Sequence, residues 1–130
     1  MIVVDTSAIM AILNGEPDAA AITDLLSLAD DLIMAAPTKF ELLMVAVGRK
    51  EEPGRDMAEA LLEHFNMVVA PWTDEHARLA VDAFLRFGKG RHKAALNFGD
   101  CMSYALAKSV DAPLLFKGND FAETDVKAAL

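Results

Sequence analysis

The stretch MIVVDTSAI, residues 1–9, opens the chain with a run of apolar residues that ends abruptly at a carboxylate. Residues 2–4 (IVV) are short, β-branched and uninterrupted, which is typical of a strand buried on both faces. Two hydroxyl residues follow Asp5, and we predict a short helix from Ala8 to Leu13. The carboxyl ends of parallel strands are where α/β proteins bind ligands. The question is therefore whether other acids reach the same edge.

Short apolar runs alternate with amphipathic segments along the rest of the chain. We predict further strands in LIMAAP (32–37), MVVAP (67–71) and PLLF (113–116), with a short fifth strand near Val126. Segments with apolar residues at helical spacing lie between them: 22–29, 38–48, 58–65, 77–85 and 97–110. This alternation predicts a single α/β domain over residues 1–130, with a mainly parallel sheet of four to five strands and helices on both faces.

Composition narrows the class of protein. Hydrophobic residues make up 54% of the 130 residues, which is too many for a disordered chain. No apolar run approaches the roughly 20 residues of a membrane span, and no signal peptide is evident. Cys101 is the only cysteine, which excludes an internal disulfide and fits a reducing cytoplasm. We therefore expect a cytoplasmic protein.

The formal net charge is −8, which by itself argues against a nucleic-acid-binding protein. The basic residues are concentrated, however, in a stretch between Asp82 and Asp100 that contains no acid. This stretch is either an ordinary solvated loop or a loop that grips phosphates beside an acidic site. Its candidate phosphate-binding residues are Arg86, Lys89, Arg91 and Lys93.

Three acids follow predicted strands, and a fourth begins a predicted helix. They are Asp5, Glu41, Asp120 and, on the helix, Asp100. Each has a purely structural interpretation as well. Asp5 could cap the next helix and Asp120 could lie in a turn, while Thr38-x-x-Glu41 and Asn97-x-x-Asp100 both have the spacing of a capping box.

The apolar surroundings favour a functional interpretation of the four acids as a group. Carboxylates crowded at the edge of a core repel one another and tend to protonate unless a cation neutralises them. Mg²⁺ and Mn²⁺ prefer such hard oxygen ligands. Zinc is disfavoured because the three histidines are scattered and the cysteine is alone. No P-loop, G-x-S-x-G or serine triad is present.

With these residues in place, the sequence resembles the PIN-domain ribonucleases, specifically the VapC-type toxins of type II toxin–antitoxin systems. Four segments carry the resemblance, in order and over nearly the whole chain: VVDTSAI (3–9), FELLMV (40–45), LNFGDCMSYALAK (96–108) and PLLFKGNDFAETDV (113–126). The resemblance implies a three-layer α/β/α sandwich. It also implies Mg²⁺-dependent hydrolysis of RNA phosphodiester bonds, with Mn²⁺ as a possible replacement, by water activated at the metal.

The family's catalytic and metal-binding acids carry over to Asp5, Glu41, Asp100 and Asp120. Asp125 is a second acid near the end of the chain, so the sequence leaves open which of Asp120 and Asp125 completes the quartet. Thr6, Ser7 and Asn119 are candidates for orienting ligands or water. The RNA that is cleaved, whether tRNA, rRNA or mRNA, is not identified.

The resemblance further implies a homodimer and a VapB-type antitoxin, which alone would contact operator DNA. Two alternatives remain open. One is a phosphoacceptor domain of the receiver type, suggested by Lys117 after a late strand, although strand one ends in a single Asp. The other is a catalytically inactive PIN-like binding module, against which the complete set of acids argues.

Overall fold

Four strands and five helices alternate along the chain, and the computed structural model describes all residues from 1 to 130. In chain order they are β1 Ile2–Val4, α1 Thr6–Leu13, α2 Ala19–Leu28, β2 Leu32–Ala35, α3 Ala36–His64, β3 Val68–Ala70, α4 Asp74–Phe87, α5 Phe98–Val110 and β4 Leu114–Leu115. The four strands form one sheet in the order β3-β2-β1-β4, and every pairing is parallel. The predicted α/β class and parallel sheet are confirmed.

The central position of β1 determines where a ligand crevice lies. Val3 pairs with Ile33 of β2 on one side and with Leu114 of β4 on the other. The chain moves outward from β1 through β2 to β3 and then returns to place β4 on the opposite side. The connections therefore diverge beyond the carboxyl ends of β1 and β4, where parallel sheets open a crevice.

Two separate hydrophobic cores lie on the two faces of the sheet, because successive residues of a strand point to opposite faces. Val4 and Leu115 contribute to the core beneath α1, α2 and α3. Val3 and Leu114 contribute to the core beneath α4 and α5. The result is the expected three-layer α/β/α arrangement. No helix is both long and apolar enough to cross a membrane.

Both capping predictions can be compared with the structure, and only one is right. Asn97 and Asp100 form the complete capping box of α5, each side chain accepting a hydrogen bond from the other's backbone N–H. The predicted Thr38–Glu41 box is wrong, because α3 begins two residues earlier, at Ala36, with no side-chain cap. Pro37 in the first turn allows this start, since proline is favoured there. Glu41 is thus free of any capping role.

The two helices predicted for residues 38–48 and 58–65 are joined end to end in α3. Only Lys50 and Glu51 leave helical geometry. Glu51 has a positive φ of 53°. The chain resumes the helix at once, with Pro53 near the start of the second half. Proline fits the first turn of a helix, so this proline starts the second half instead of ending the first.

The remaining differences are small. α1 begins at Thr6 because Asp5 caps it, accepting a hydrogen bond from the Ser7 N–H at 3.0 Å. The predicted fifth strand near Val126 is wrong. The only pairing there is a single parallel bridge between Leu114 and Ala128, because the preceding residues are tied down by side-chain contacts of Asp125.

Candidate active site

Asp5 lies at the carboxyl end of the central strand and is almost completely buried, with 4% of its surface exposed. Both carboxylate oxygens are held. Oδ1 accepts a hydrogen bond from the Ser103 hydroxyl at 2.5 Å. Oδ2 accepts hydrogen bonds from the Ser7 N–H at 3.0 Å and the Ser7 hydroxyl at 2.6 Å. The carboxylate is therefore fixed by side chains from α1 and α5.

Glu41 reaches the same edge from the second turn of α3. The Thr6 hydroxyl donates a hydrogen bond of 2.6 Å to Glu41 Oε1. Burial raises the pKa of Glu41, the Thr6 hydrogen bond opposes that shift, and the nearby charge of Asp5 adds to it. The effect of the Asp5 charge on Glu41 indicates that the two carboxylates are close neighbours.

Asp100 occupies the first turn of α5, where its side chain also caps the helix. Its pKa is raised to about 7, mainly by burial and in part by the charges of Asp5, Asp120 and Glu41, while the hydrogen bond from the Asn97 N–H opposes the shift. Asp100 therefore senses all three of the other candidate acids. Asp100 therefore caps α5, as the sequence predicts, and also lies among the other candidate acids.

Asp120 and Asp125 have different surroundings. Asp120 lies on the exposed segment after β4, makes no side-chain hydrogen bond, and is close enough to raise the pKa of Asp100. Asp125 instead accepts hydrogen bonds from the Tyr104 hydroxyl at 2.5 Å and from Lys108 Nζ at 3.2 Å. Of the two, only Asp120 faces the acid cluster.

No Lys or Arg side chain forms an ion pair with Asp5, Glu41, Asp100 or Asp120. The donor set consists of carboxylate and hydroxyl oxygens, the chemistry that suits Mg²⁺ or Mn²⁺. No group of three His, Cys, Asp or Glu side chains is close enough together to hold one ion. The residues fit a hard divalent cation in their chemistry, and their side chains would have to move closer together to coordinate one ion.

The hydroxyl residues predicted to orient ligands behave unequally. Thr6 contacts Glu41, and Ser7 contacts Asp5. Ser7 Oγ also accepts a hydrogen bond from the Lys117 N–H at 3.0 Å, which ties the segment leading to Asp120 to the start of α1. The exposed side chain of Asn119 makes no hydrogen bond to the site.

The basic loop is partly neutralised by acids of the C-terminal segment. Arg86 pairs with Asp125 at 3.5 Å, and Lys93 pairs with Glu123 at 3.0 Å. Lys89 and Arg91 are exposed and form no ion pair; the guanidinium of Arg91 lies over the Phe84 ring. These contacts bring the loop against the segment that follows Asp120. They leave two basic side chains free.

Sequence reasoning missed two residues of this site. No sequence pattern singled out Ser103, yet its buried hydroxyl holds Asp5. Gly99 was not considered, yet the Glu41 carboxylate lies directly against it. The available signals were a glycine in the first turn of a helix, where glycine is unfavourable, and a serine three residues after Asp100 on the same helix face.

Cys101, beside Asp100, is a packing residue. It is buried, and burial together with the Asp100 charge raises the pKa of its thiol to about 11. A thiol of this kind stays protonated at neutral pH and is a poor nucleophile.

Comparison with known proteins agrees with this geometry. A family model described as PIN domain matches residues 2–127. The ribonuclease VapC36 of Mycobacterium tuberculosis is 46% identical over 126 residues, an alignment that covers 96% of this chain and 91% of the relative.

Solved structures resemble the fold at much lower sequence identity. The crystal structure of VapC20 from M. tuberculosis, a toxin that cleaves the sarcin–ricin loop, superposes with a TM-score of 0.78 at 17% identity, covering 97% of this chain and 96% of that one. VapBC2 from Rickettsia felis, bound to a DNA fragment from its promoter, gives 0.75 at 13% identity, covering 98% and 96%. At these identities the likeness shows the fold.

Proposed function

The chain belongs to the PIN-domain family, among its VapC ribonucleases, and from this premise we propose that its ribonuclease activity depends on a divalent cation, Mg²⁺ or Mn²⁺, held by Asp5, Glu41, Asp100 and Asp120. The observation that carries the proposal is the electrostatics of Asp100. Its carboxyl group has three acids close enough to raise its pKa and no basic partner. Such a cluster is costly to ionise unless a cation joins it.

The proposed reaction is hydrolysis of RNA phosphodiester bonds by water. When bound, the cation supplies charge that activates the attacking water and stabilises the charge developing on the phosphoryl oxygens. Asp5 and Asp100 would hold it through their carboxylates. Glu41 and Asp120 would complete the ligand set or orient water. The RNA 2′-hydroxyl need not act as nucleophile.

Lys89 and Arg91 are the proposed grip on the RNA backbone. They are exposed and free of carboxylate partners, whereas Arg86 and Lys93 are engaged with acids of their own chain. Free basic side chains beside an acidic centre can bind the phosphates on either side of the scissile bond.

The test uses purified, antitoxin-free protein and total bacterial RNA, with Mg²⁺, with Mn²⁺ and with EDTA. Asp5→Asn and Asp100→Asn serve as variants, and Asp111→Asn, at the far end of α5, is the matched control. We expect discrete fragments that vanish in EDTA and fall by at least about 100-fold in either site variant. Mapping the fragment ends then names the target RNA.

Cleavage that survives EDTA and both site variants would contradict the proposal. A wild-type protein that binds Mn²⁺ but cuts no RNA would instead favour the inactive binding module. Formation of an acyl phosphate with a small phosphodonor would favour the receiver-type alternative.

The partner proposed for the acidic site is a VapB-type antitoxin. Complexes of VapC toxins with their antitoxins are among the solved structures with this fold. A basic antitoxin side chain presented to the unpaired acids would compete with the cation through charge-assisted hydrogen bonds. With a net charge of −8, this chain is poorly suited to hold DNA itself, so operator binding is assigned to the antitoxin. We place the pair in the cytoplasm.

A second copy of this chain is the partner proposed for the outer face of α4 and α5. A wholly apolar groove of about 480 Å³ lies there, with Trp72, Val81, Phe84 and Met102 among its walls. Phe98, at the rim, is 83% exposed. A projecting aromatic ring beside a groove on the same face is self-complementary, as a two-fold dimer requires. Sedimentation should give a dimer for the wild type and a monomer for Phe98→Asp; a monomeric wild type contradicts this.

A further inference from the structure

We propose that α5 not only supplies Asp100 but also positions two other acids of the site, with Ser103 holding the buried Asp5 and Gly99 making room for the half-buried Glu41. Both residues lie within one turn of Asp100 on the same helix. The inference rests on the proposed function only for its consequence, cation binding. The positioning itself is a statement about the metal-free protein.

Ser103 is the one contact between α5 and Asp5 that reaches the Oδ1 oxygen. Its hydroxyl is 1% exposed and donates the 2.5 Å hydrogen bond described above. Ser7 holds only Oδ2, so without Ser103 the Asp5 carboxylate is fastened on one side and can rotate about its Cβ–Cγ bond. The Thr38 hydroxyl lies 3.5 Å from Ser103 Oγ, which places Ser103 between the acid and the start of α3.

Gly99 acts by lacking a side chain. A Cβ atom at this position would lie 1.9 Å from Glu41 Oε2 and 2.7 Å from its carboxyl carbon. The Glu41 carboxylate therefore rests against bare backbone, and the Thr6 hydroxyl holds its other oxygen. The backbone of Gly99 is not in the left-handed region, so conformational freedom does not explain this glycine. The close approach of Glu41 does.

The two contacts fix the spacing of the acids. Asp100, Asp5 and Glu41 come from three different elements, and each of the latter two touches α5 within four residues of Asp100. Groups that orient ligands from behind typically change cation affinity by about 10- to 100-fold when removed. Ser103 and Gly99 are positioning residues in this sense, since neither has a group that would reach the substrate.

The variants are Ser103→Ala and Gly99→Ala, each with a matched control. Ser109→Ala removes a hydroxyl from the same helix that contacts His76 and the Leu106 carbonyl, away from the acids. Gly48→Ala adds a Cβ to a helical glycine with nothing within 4 Å. Ser103→Thr retains a hydroxyl and tests rescue.

Two measurements separate this inference from the proposed function. Crystal structures of the metal-free variants should show a displaced Glu41 carboxylate in Gly99→Ala and a rotated Asp5 carboxylate in Ser103→Ala. Titration with Mn²⁺ followed by electron paramagnetic resonance should show affinity lowered about 10-fold in each, with rescue by Ser103→Thr and no change in the controls. Gly99→Ala should melt no lower than the wild type, because alanine favours helix over glycine and the side-chain end of Glu41 can move aside.

Carboxylates that keep their wild-type positions in both variants would overturn the inference, whatever the activity. Where Asp5→Asn weakens Mn²⁺ binding, unchanged Mn²⁺ affinity in folded Ser103→Ala and Gly99→Ala would overturn it as well. If the carboxylates move but Asp5→Asn binds Mn²⁺ as tightly as the wild type, the positioning stands and the proposed role of the cation fails.

Discussion

Asp100 lies on α5 and Asp125 contacts the same helix, yet the two carboxylates have opposite electrostatic surroundings. Asp100 is buried among Asp5, Glu41 and Asp120, and its pKa is raised to about 7. Around Asp125, partial burial is outweighed by hydrogen bonds from Tyr104 and Lys108 and by the charges of Lys108 and Arg86, so its pKa is lowered. The ionised form of Asp125 is therefore stabilised by its neighbours, whereas the ionised form of Asp100 is destabilised.

The contrast separates a structural acid from a candidate functional one. Asp125 fastens the C-terminal segment to α4 and α5, and its charge is satisfied within the chain. Asp100 carries a charge that the chain leaves uncompensated. Carboxylates with strongly shifted pKa values, such as Asp100, are concentrated at functional sites, because there the shift serves function and not stability.

The largest expected effect comes from replacing Asp120 and Asp125 one at a time and comparing the two variants. Asp120→Asn should lower RNA cleavage by about 100-fold and leave the melting temperature nearly unchanged, because its side chain makes no hydrogen bond. Asp125→Asn should leave cleavage close to wild type and destabilise the fold by about 0.5–1 kcal/mol, a small value because the ion pairs are exposed. Cleavage assays and denaturant titration of both variants check this.

The reverse result, with cleavage lost in Asp125→Asn and kept in Asp120→Asn, would move Asp125 into the catalytic set. The assignment of Asp125 as a structural acid and of Asp120 as a catalytic one would then be wrong.

An intermediate effect is expected in the dependence of stability on pH. The pKa of Asp100 is higher in the folded protein than in the unfolded chain, so its favourable contribution is complete below about pH 4 and is lost as pH rises through about 7. Metal-free protein should therefore lose about 1–3 kcal/mol between pH 5 and pH 8, less than the full shift implies because the site is partly hydrated. Mg²⁺ should restore most of this at pH 8.

Asp125 should give the opposite slope. Its lowered pKa means that its contribution is present at neutral pH and disappears as pH falls below the unfolded value near 3.8. Thermal melts in EDTA of wild type, Asp100→Asn and Asp125→Asn resolve the two slopes. A wild-type protein equally stable at pH 5 and pH 8 without metal would contradict the assignment for Asp100.

The smallest expected effect lies in the basic loop. Lys89→Ala and Arg91→Ala should each raise KM severalfold, with little change in kcat and a reduced dependence on salt, because each removes one exposed phosphate contact. Lys93→Ala, whose ammonium is already paired with Glu123, is the matched control and should change KM less. Equal effects from all three would return the loop to an ordinary solvated surface.

Much of this architecture could be predicted from the sequence. The strands at 2–4 and 32–35 are uninterrupted apolar runs, and the helices between them repeat their apolar residues at helical spacing, so the layers follow from burial alone. The acids follow strand ends, and parallel strands end at one edge. This is why Asp5, Glu41 and Asp120 could be expected near one another before their side chains were seen.

Local patterns were less reliable where a neighbouring residue competed. Thr38 and Glu41 have capping-box spacing, but Pro37 allows α3 to begin earlier, so the box never forms. Val126 was predicted to pair with the sheet, but its N–H donates to the Thr124 hydroxyl, and the neighbouring Asp125 accepts hydrogen bonds from Tyr104 and Lys108.

The sequence by itself determined the α/β/α layers, the parallel sheet and three of the four candidate acids, since these depend on periodicity and on residue chemistry along the chain. Only the tertiary structure decided that Ser103 holds Asp5 and that Glu41 lies against Gly99. It also decided that Asp125 accepts a hydrogen bond from Tyr104 and forms ion pairs with Lys108 and Arg86. Ser103 and Asp5 are 98 positions apart in the chain, and a hydrogen bond over that separation depends on how helices pack across the sheet. No local pattern records it.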